Sequence, residues 1–171
     1  MQNAPPGPSA GAGDLRLVTA LPPAVAFSHA IAHLMVRPAF ARAPFGHIAR
    51  CVAGQVNRGH YAFAVRDPEA VGFAGWAKAV EPAAQAWLDG ERGFPDAEAT
   101  TGDCVILNFW QADSPEVSRF LVHALTALLP GTRRVYAKRH YPDGRMRPLV
   151  LEVGGRRDAP EPVPATARAR G

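Results

Sequence analysis

His29 and His33 stand four residues apart in a stretch that reads as helix, a spacing at which two imidazoles share a face and can hold a metal. The pentad is His29-Ala30-Ile31-Ala32-His33, without the glutamate of a His-Glu-x-x-His site, so no metal centre is expected. Cys51 lies mid-helix beside Val52, and Cys104 opens an apolar strand. Both read as packed thiols rather than nucleophiles. None of Ser9, Ser28, Ser114 or Ser118 sits in a Gly-x-Ser-x-Gly elbow after a strand, which argues against serine hydrolysis. Gly11-Ala12-Gly13 lies in the leader read as disordered, and no glycine-rich phosphate loop follows any strand, so a nucleotide motif is absent. Arg133, Arg134, Lys138, Arg139, Arg145 and Arg147 gather positive charge around the end of the chain's last two strands, interleaved with Tyr136 and Tyr141. That pattern fits a solvated amphipathic hairpin or a docking surface for an acidic partner, with Arg134, Lys138 and Arg139 as the candidate contacts. The residues alone leave the reaction unidentified.

The scaffold that must position these groups is one domain. The chain has 171 residues, 47% of them apolar, enough for a single core. Charged residues are only 20%, and 17 prolines and 16 glycines punctuate the chain, which excludes a long coiled coil and an all-helical bundle. No uncharged apolar run is long enough to span a bilayer, and the start Met1-Gln2-Asn3-Ala4-Pro5-Pro6 lacks the features of a signal peptide. A soluble cytoplasmic protein is expected. Two cysteines outside any Cys-x-x-Cys pair make neither a disulfide framework nor a structural zinc site. The net charge is +4, and half of it belongs to the last 16 residues, where four arginines face Asp158 and Glu161. A nucleic-acid footprint on the folded body is therefore not expected.

Residues 1–21 and 156–171 are rich in Pro, Gly and Ala and read as disordered, leaving 22–155 as the folded domain. Pro22-Pro23 opens a first helix whose apolar positions, Val25 to Met35, recur near every 3.6 residues until Pro38 stops it. After a bend over Pro38–Pro44, a second helix runs from Phe45 to Arg58, closed by Gly59. Tyr61–Val65 and Ala70–Ala77 read as a hairpin, Glu81–Asp89 as a short helix, and Gly90–Thr101 as a polar loop. Cys104–Trp110 is a continuous apolar run suited to a central strand covered on both faces. Ser114-Pro115-Glu116 caps a helix that buries Phe120, Leu121, Ala124, Leu125 and Leu128. Arg134–His140 and Met146–Val153 form a last hairpin around Asp143-Gly144. This order gives an α/β sandwich around one mixed, mostly antiparallel sheet flanked by helices.

The motif order over Phe27–Val153 resembles one family, the RTX-toxin-activating lysine acyltransferases. The resemblance is carried by Phe27-Ser28-His29-Ala30-Ile31-Ala32-His33-Leu34-Met35 with Val36-Arg37-Pro38 behind it, and by Tyr61-Ala62-Phe63 and Arg66-Asp67. Val71-Gly72-Phe73-Ala74-Gly75-Trp76-Ala77 is its most specific piece, followed by Thr101-Gly102-Asp103 and by Trp110. The resemblance implies a single-domain acetyltransferase-like (GNAT-like) fold. It also implies an activity that moves a fatty acyl group from acyl carrier protein to internal lysines of a protoxin-type protein, with no bound cofactor. Coenzyme-A-using relatives hold pyrophosphate on a glycine-rich turn at a helix N-terminus. Here that turn reads Gln111-Ala112-Asp113-Ser114-Pro115-Glu116, with two carboxylates and no glycine, which agrees with an acyl carrier protein donor. Carrier proteins are acidic, so the basic hairpin gains a partner of complementary charge.

At the catalytic positions the sequence departs from the family. The histidine expected two residues after the helix-ending proline falls on Phe40, and the aspartate before the strand tryptophan falls on Phe109, next to Asn108. Phenylalanine transfers no proton, and asparagine holds no charge against an imidazolium. Three alternatives stand open. In the first, the chain keeps the fold as a binding or adaptor module for acyl carrier protein, an acyl chain or a protein partner. In the second, a displaced histidine, His33 or His47, acts, with Asp103 as a further acidic candidate. Or transfer relies on positioning, with Asn108 as an oxyanion donor.

Overall fold

The computed structural model describes residues 14–91, 93, 99–141 and 143–153. Of the ends predicted over 1–21 and 156–171, residues 1–13 and 156–171 lie outside these, as does part of the loop expected over Gly90–Thr101. The elements are β1 (Leu15–Val18), α1 (Pro23–Met35), α2 (Pro38–Ala41), α3 (Phe45–Arg58), β2 (Tyr61–Arg66), β3 (Glu69–Ala79), α4 (Glu81–Asp89), β4 (Cys104–Ala112), α5 (Pro115–Leu128), β5 (Arg134–His140) and β6 (Met146–Glu152). The six strands form one sheet in chain order. Every neighbouring pair is antiparallel except β4 and β5, which run parallel. This is the mixed, mostly antiparallel sheet read from the sequence. Among the described residues no helix is long and apolar enough to cross a membrane.

Two local expectations are corrected. Residues 15–18 fall in the leader expected to be disordered, yet they form the edge strand β1, from Leu15↔Arg66 to Val18↔Phe63. Leu15 and Leu17 alternate with Arg16 and turn toward α5, an alternation too short to stand out between Pro- and Gly-rich flanks. The bend after Pro38 is a turn of helix, α2, which Pro38 itself opens: its fixed φ and missing N–H suit the first helical position.

Side-chain alternation along the strands divides the core between the two faces of the sheet. On one face α1 and α3 bury Ala26, Ala30, Leu34, Ile48, Val52 and Val56 against Phe63, Phe73 and Phe109. Each of those aromatic rings contributes about 1.5–3 kcal/mol by leaving water. Next to them α4 covers Ile106 and Tyr136. The opposite face has small side chains, Ala62, Ala64, Gly72 and Ala74, and α5 alone lies on it. Its approach is close: a Cβ on Gly72 would stand 2.7 Å from Val117 Cγ1. No helix lies between β5 and β6, so α5 leaves its side of that hairpin open, with Leu151 more than half exposed.

Candidate functional site

The sheet opens where its direction changes. Parallel pairing of β4 with β5 ends at Leu107↔Ala137, although both strands continue. At the same level, on the other side of β4, Trp76 pairs with Leu107 and Gly75 with Phe109. Asn108 is therefore an extra residue, a β-bulge with no register partner on either neighbouring strand. Its side chain is held from below: Gln55 Nε2, on α3, donates to Asn108 Oδ1 at 3.3 Å. That leaves the Asn108 Nδ2 donor for another partner. Gln55 is 2% exposed, and its Oε1 has no hydrogen-bond partner among the described residues. It fits only because residue 75 is glycine, where a Cβ would lie 2.2 Å from that oxygen.

A cavity of about 780 Å³ opens beside this gap; Asn108 itself is not among the residues that line it. Leu107 and Trp110 of β4, which flank the bulge, form one wall, and Leu125 and Leu129 at the end of α5 another. Ala137, Leu149 and Leu151 of the last hairpin close the third side. At its polar end are Arg37, Gln111, Arg139 and His140, and there Phe40 of α2 reaches in from the other face of the sheet.

The Phe40 ring meets Phe109 edge-on at 5.7 Å between centroids. Neither position holds a group that moves a proton. Beside them Arg37 is ion-paired with Asp113, and His33 Nε2 lies 4.0 Å from the same carboxylate, outside hydrogen-bond range. Burial holds the His33 imidazole below its ordinary pKa, with Arg37 adding to that and Asp113 opposing it.

Superposition on solved structures gives this architecture a name. The chain is similar to the loading GNATL domain of CurA from Lyngbya majuscula, with a TM-score of 0.54 and 16% identity over 77% of this chain and 69% of that one. It is also similar to the GphF GNAT-like decarboxylase in complex with isobutyryl-CoA, with a TM-score of 0.50 and 17% identity over 75% of this chain and 67% of that one. The fold is GNAT-like. No protein-family model matches the sequence, and no curated protein matches it.

Within this GNAT-like fold, the turn from β4 into α5 has few donors for an anion. Pro115 has no N–H, Val117 N donates to the Ser114 side chain at 3.2 Å, and Ser118 N to the Ser114 carbonyl at 3.0 Å. Asp113 N is spent on Val71 O at 3.0 Å. Asp113 and Glu116 add negative charge at the same turn, each paired with an arginine, Arg37 and Arg66. A pyrophosphate seated there would meet two carboxylates, with the amides of Asp113, Val117 and Ser118 already engaged.

The other sequence candidates lie elsewhere. His47 is exposed on α3, 3.7 Å from Cys51 Sγ, and does not line the cavity. Asp103 accepts from Arg133 at 2.9 Å and serves a surface network with Glu81; Arg133 holds its carboxyl below the usual range. His29 packs edge-on against Phe63 and does not converge with His33, and the described residues contain no cluster fit to hold a metal. Cys104 is an inert thiol, pushed up to about 11 by burial. Of the basic candidates, Arg134 is ion-paired with Glu81 and Glu152, and Lys138 donates to the Trp87 carbonyl while lying over its ring. Arg139 alone of the three lines the cavity. Sequence reasoning missed Gln55, whose importance depends on a glycine twenty residues away.

Proposed function

We propose that this chain transfers a fatty acyl group from an acyl carrier protein thioester to a lysine amine of a protein, working by positioning rather than by a strong general base. The observation that carries this reading is the Asn108 bulge at the point where β4 and β5 part. The Asn108 amide has no ladder partner and follows the cavity-lining Leu107; turned toward that cleft, it would stabilise the oxyanion that forms when an amine attacks a thioester carbonyl. The apolar walls suit an acyl chain, and the closed N-terminus of α5 favours a carrier-protein donor over coenzyme A. The residues that resemble toxin-activating lysine acyltransferases support a protein lysine as acceptor. With Phe40 and Phe109 at the acid–base positions, turnover is reduced by the roughly 10²- to 10⁴-fold that a general base supplies.

Intact-mass measurement tests this: the chain is incubated with long-chain acyl carrier protein and a lysine-bearing acceptor. Acceptor mass rising by one acyl group above the enzyme-free control is the expected result; no rise over hours, with the acyl carrier protein intact, overturns it. The contact between Phe40 and Phe109 favours a second reading, an adaptor that binds acyl carrier protein or its chain without transfer. That reading predicts stable binding in the same mixture and no change of mass.

A further inference from the structure

Arg139 of β5 and Arg147 of β6 stand directly opposite each other in the ladder. Alternation puts both on the hairpin face that carries Ala137, Leu149 and Leu151, the face α5 leaves open. Like charges directly opposite destabilise a strand pair, so an acid is expected nearby. The candidates are committed elsewhere: Glu152 and Glu81 to Arg134, and Asp143 to Arg145. Among the described residues neither Arg139 nor Arg147 has an acidic partner. Arg139 lies over the Tyr141 ring at 5.0 Å, which orients its guanidinium without neutralising it.

The open face is therefore graded. Two unneutralised cations occupy one end, followed by the apolar pairs Ala137↔Leu149 and Val135↔Leu151. Such a face fits one molecule with an anionic group at one end of a long arm that runs on along the strands. The other anion-binding position of the fold, the N-terminus of α5, has Pro115 without an N–H, Val117 N engaged by Ser114, and two carboxylates. We infer, resting on the cleft as an acyl-thioester site, that Arg139 and Arg147 together hold the phosphodiester of the phosphopantetheine arm that delivers the acyl chain. One planar guanidinium fork satisfies a planar carboxylate, whereas the tetrahedral phosphodiester turns its acceptor oxygens in diverging directions that suit two forks. Anion recognition has thus moved from the helix N-terminus to the last hairpin.

The test reads binding, not transfer, so it is independent of turnover. Long-chain S-acyl phosphopantetheine, S-acyl pantetheine and the free fatty acid are titrated against the full chain, the Arg139→Gln/Arg147→Gln variant and Arg147→Glu. The chain is expected to prefer the phosphorylated thioester about tenfold or more, and the glutamines to erase that preference while leaving S-acyl pantetheine affinity unchanged. Arg147→Glu is expected to weaken phosphorylated binding further and to raise Tm, because an opposite-charge pair replaces a like-charge one. A preference that survives both variants overturns the assignment. So does equal loss of both thioesters, or a free fatty acid that binds as tightly as the phosphorylated thioester and is lost with the same arginines. If neither thioester binds the unmodified chain, the acyl site itself is wrong and the inference fails with it; transfer absent while the phosphate preference holds rejects only the transferase reading.

Discussion

Phe40 and Phe109 meet edge-on across the top of the sheet, with ring planes inclined by 63° and centroids 5.7 Å apart. Phe109 in turn leans on Phe73 at 6.3 Å and is 4% exposed. The two rings thus extend the α1–α3 core to the edge of the cleft, an arrangement worth about 0.5–1.5 kcal/mol beyond simple burial. Phe109 is a core residue by its surroundings, whereas Asn108 is the residue that the bulge sets apart.

This difference decides where a proton-transfer group can be introduced. Phe109→Asp would bury a carboxylate among phenylalanines, at a cost of several kcal/mol. Asn108→Asp would spare the core but replace the oxyanion donor with an anion. Phe40→His alone, which keeps the Asn108 amide, is expected to speed acyl transfer by about 10²- to 10⁴-fold over the unmodified chain, Phe40→His with Asn108→Asp to lose most of that gain, and Phe40→His with Phe109→Asp to lower Tm sharply. Initial rates by intact mass and thermal melts of the three variants check this.

Gly75 and Gln55 should be strongly coupled. A Cβ at position 75 would stand 2.2 Å from Gln55 Oε1 and 2.8 Å from its Cδ, in a fully packed layer. Gly75→Ala is expected to cost about 1–3 kcal/mol, mainly through displaced packing and a broken Gln55–Asn108 bond. Gln55→Ala removes the obstacle, so the second substitution should cost much less in its presence than alone. A double-mutant cycle by urea unfolding measures that coupling.

The fold was largely legible in the sequence because its signals are local. The prolines at 23 and 115, the glycines at 59 and 90, and the apolar spacing between them mark helix ends that the structure reproduces at Phe45–Arg58, Glu81–Asp89 and Pro115–Leu128. The site was legible only in part. His33, Phe40, Asn108 and Arg139 stood out by type, but a bulge is a property of two strands in register, and no single strand announces it. The same holds for charge: Arg134 and Arg139 look alike in sequence, and only the cross-strand partners, Glu152 for one and Arg147 for the other, separate a neutralised arginine from an available one.

The open hairpin face should set acyl length. Ala137 is the smallest side chain on the β5 wall of the cavity, just where β4 pairing ends. Ala137→Phe fills space without adding charge, so it should shorten the longest chain bound while leaving short-chain affinity within a few-fold. Affinities for a series of acyl lengths, measured on both proteins, give the result directly.

Acid should weaken the fold through two half-buried histidines. Burial lowers both His33 and His60 from 6.5, so the native state binds fewer protons than the unfolded chain just below that value. Stability is then complete above about pH 7 and falls as the pH drops through 6.5 toward the folded-state pKa. His33→Asn with His60→Asn should flatten that part of the profile. Urea midpoints between pH 5 and 7.5 provide the comparison, with the unmodified chain showing the steeper slope.

The pH dependence of acyl transfer separates positioning from base catalysis. The attacking amine must be neutral, and free lysine loses its proton only near pH 10.4. With Phe40 in place of a base, the rate should climb about tenfold per pH unit from 6 to 9, because only the neutral fraction of the acceptor reacts. A base at His33 would give another shape: its pKa is held below 6.5 by burial, so it would already be neutral at pH 7 and the profile would level off near there. His33→Gln then becomes decisive. Under positioning alone it leaves both the slope and the rate nearly unchanged at pH 8, whereas a plateau that disappears with His33 would make that imidazole, beside Asp113, the proton acceptor.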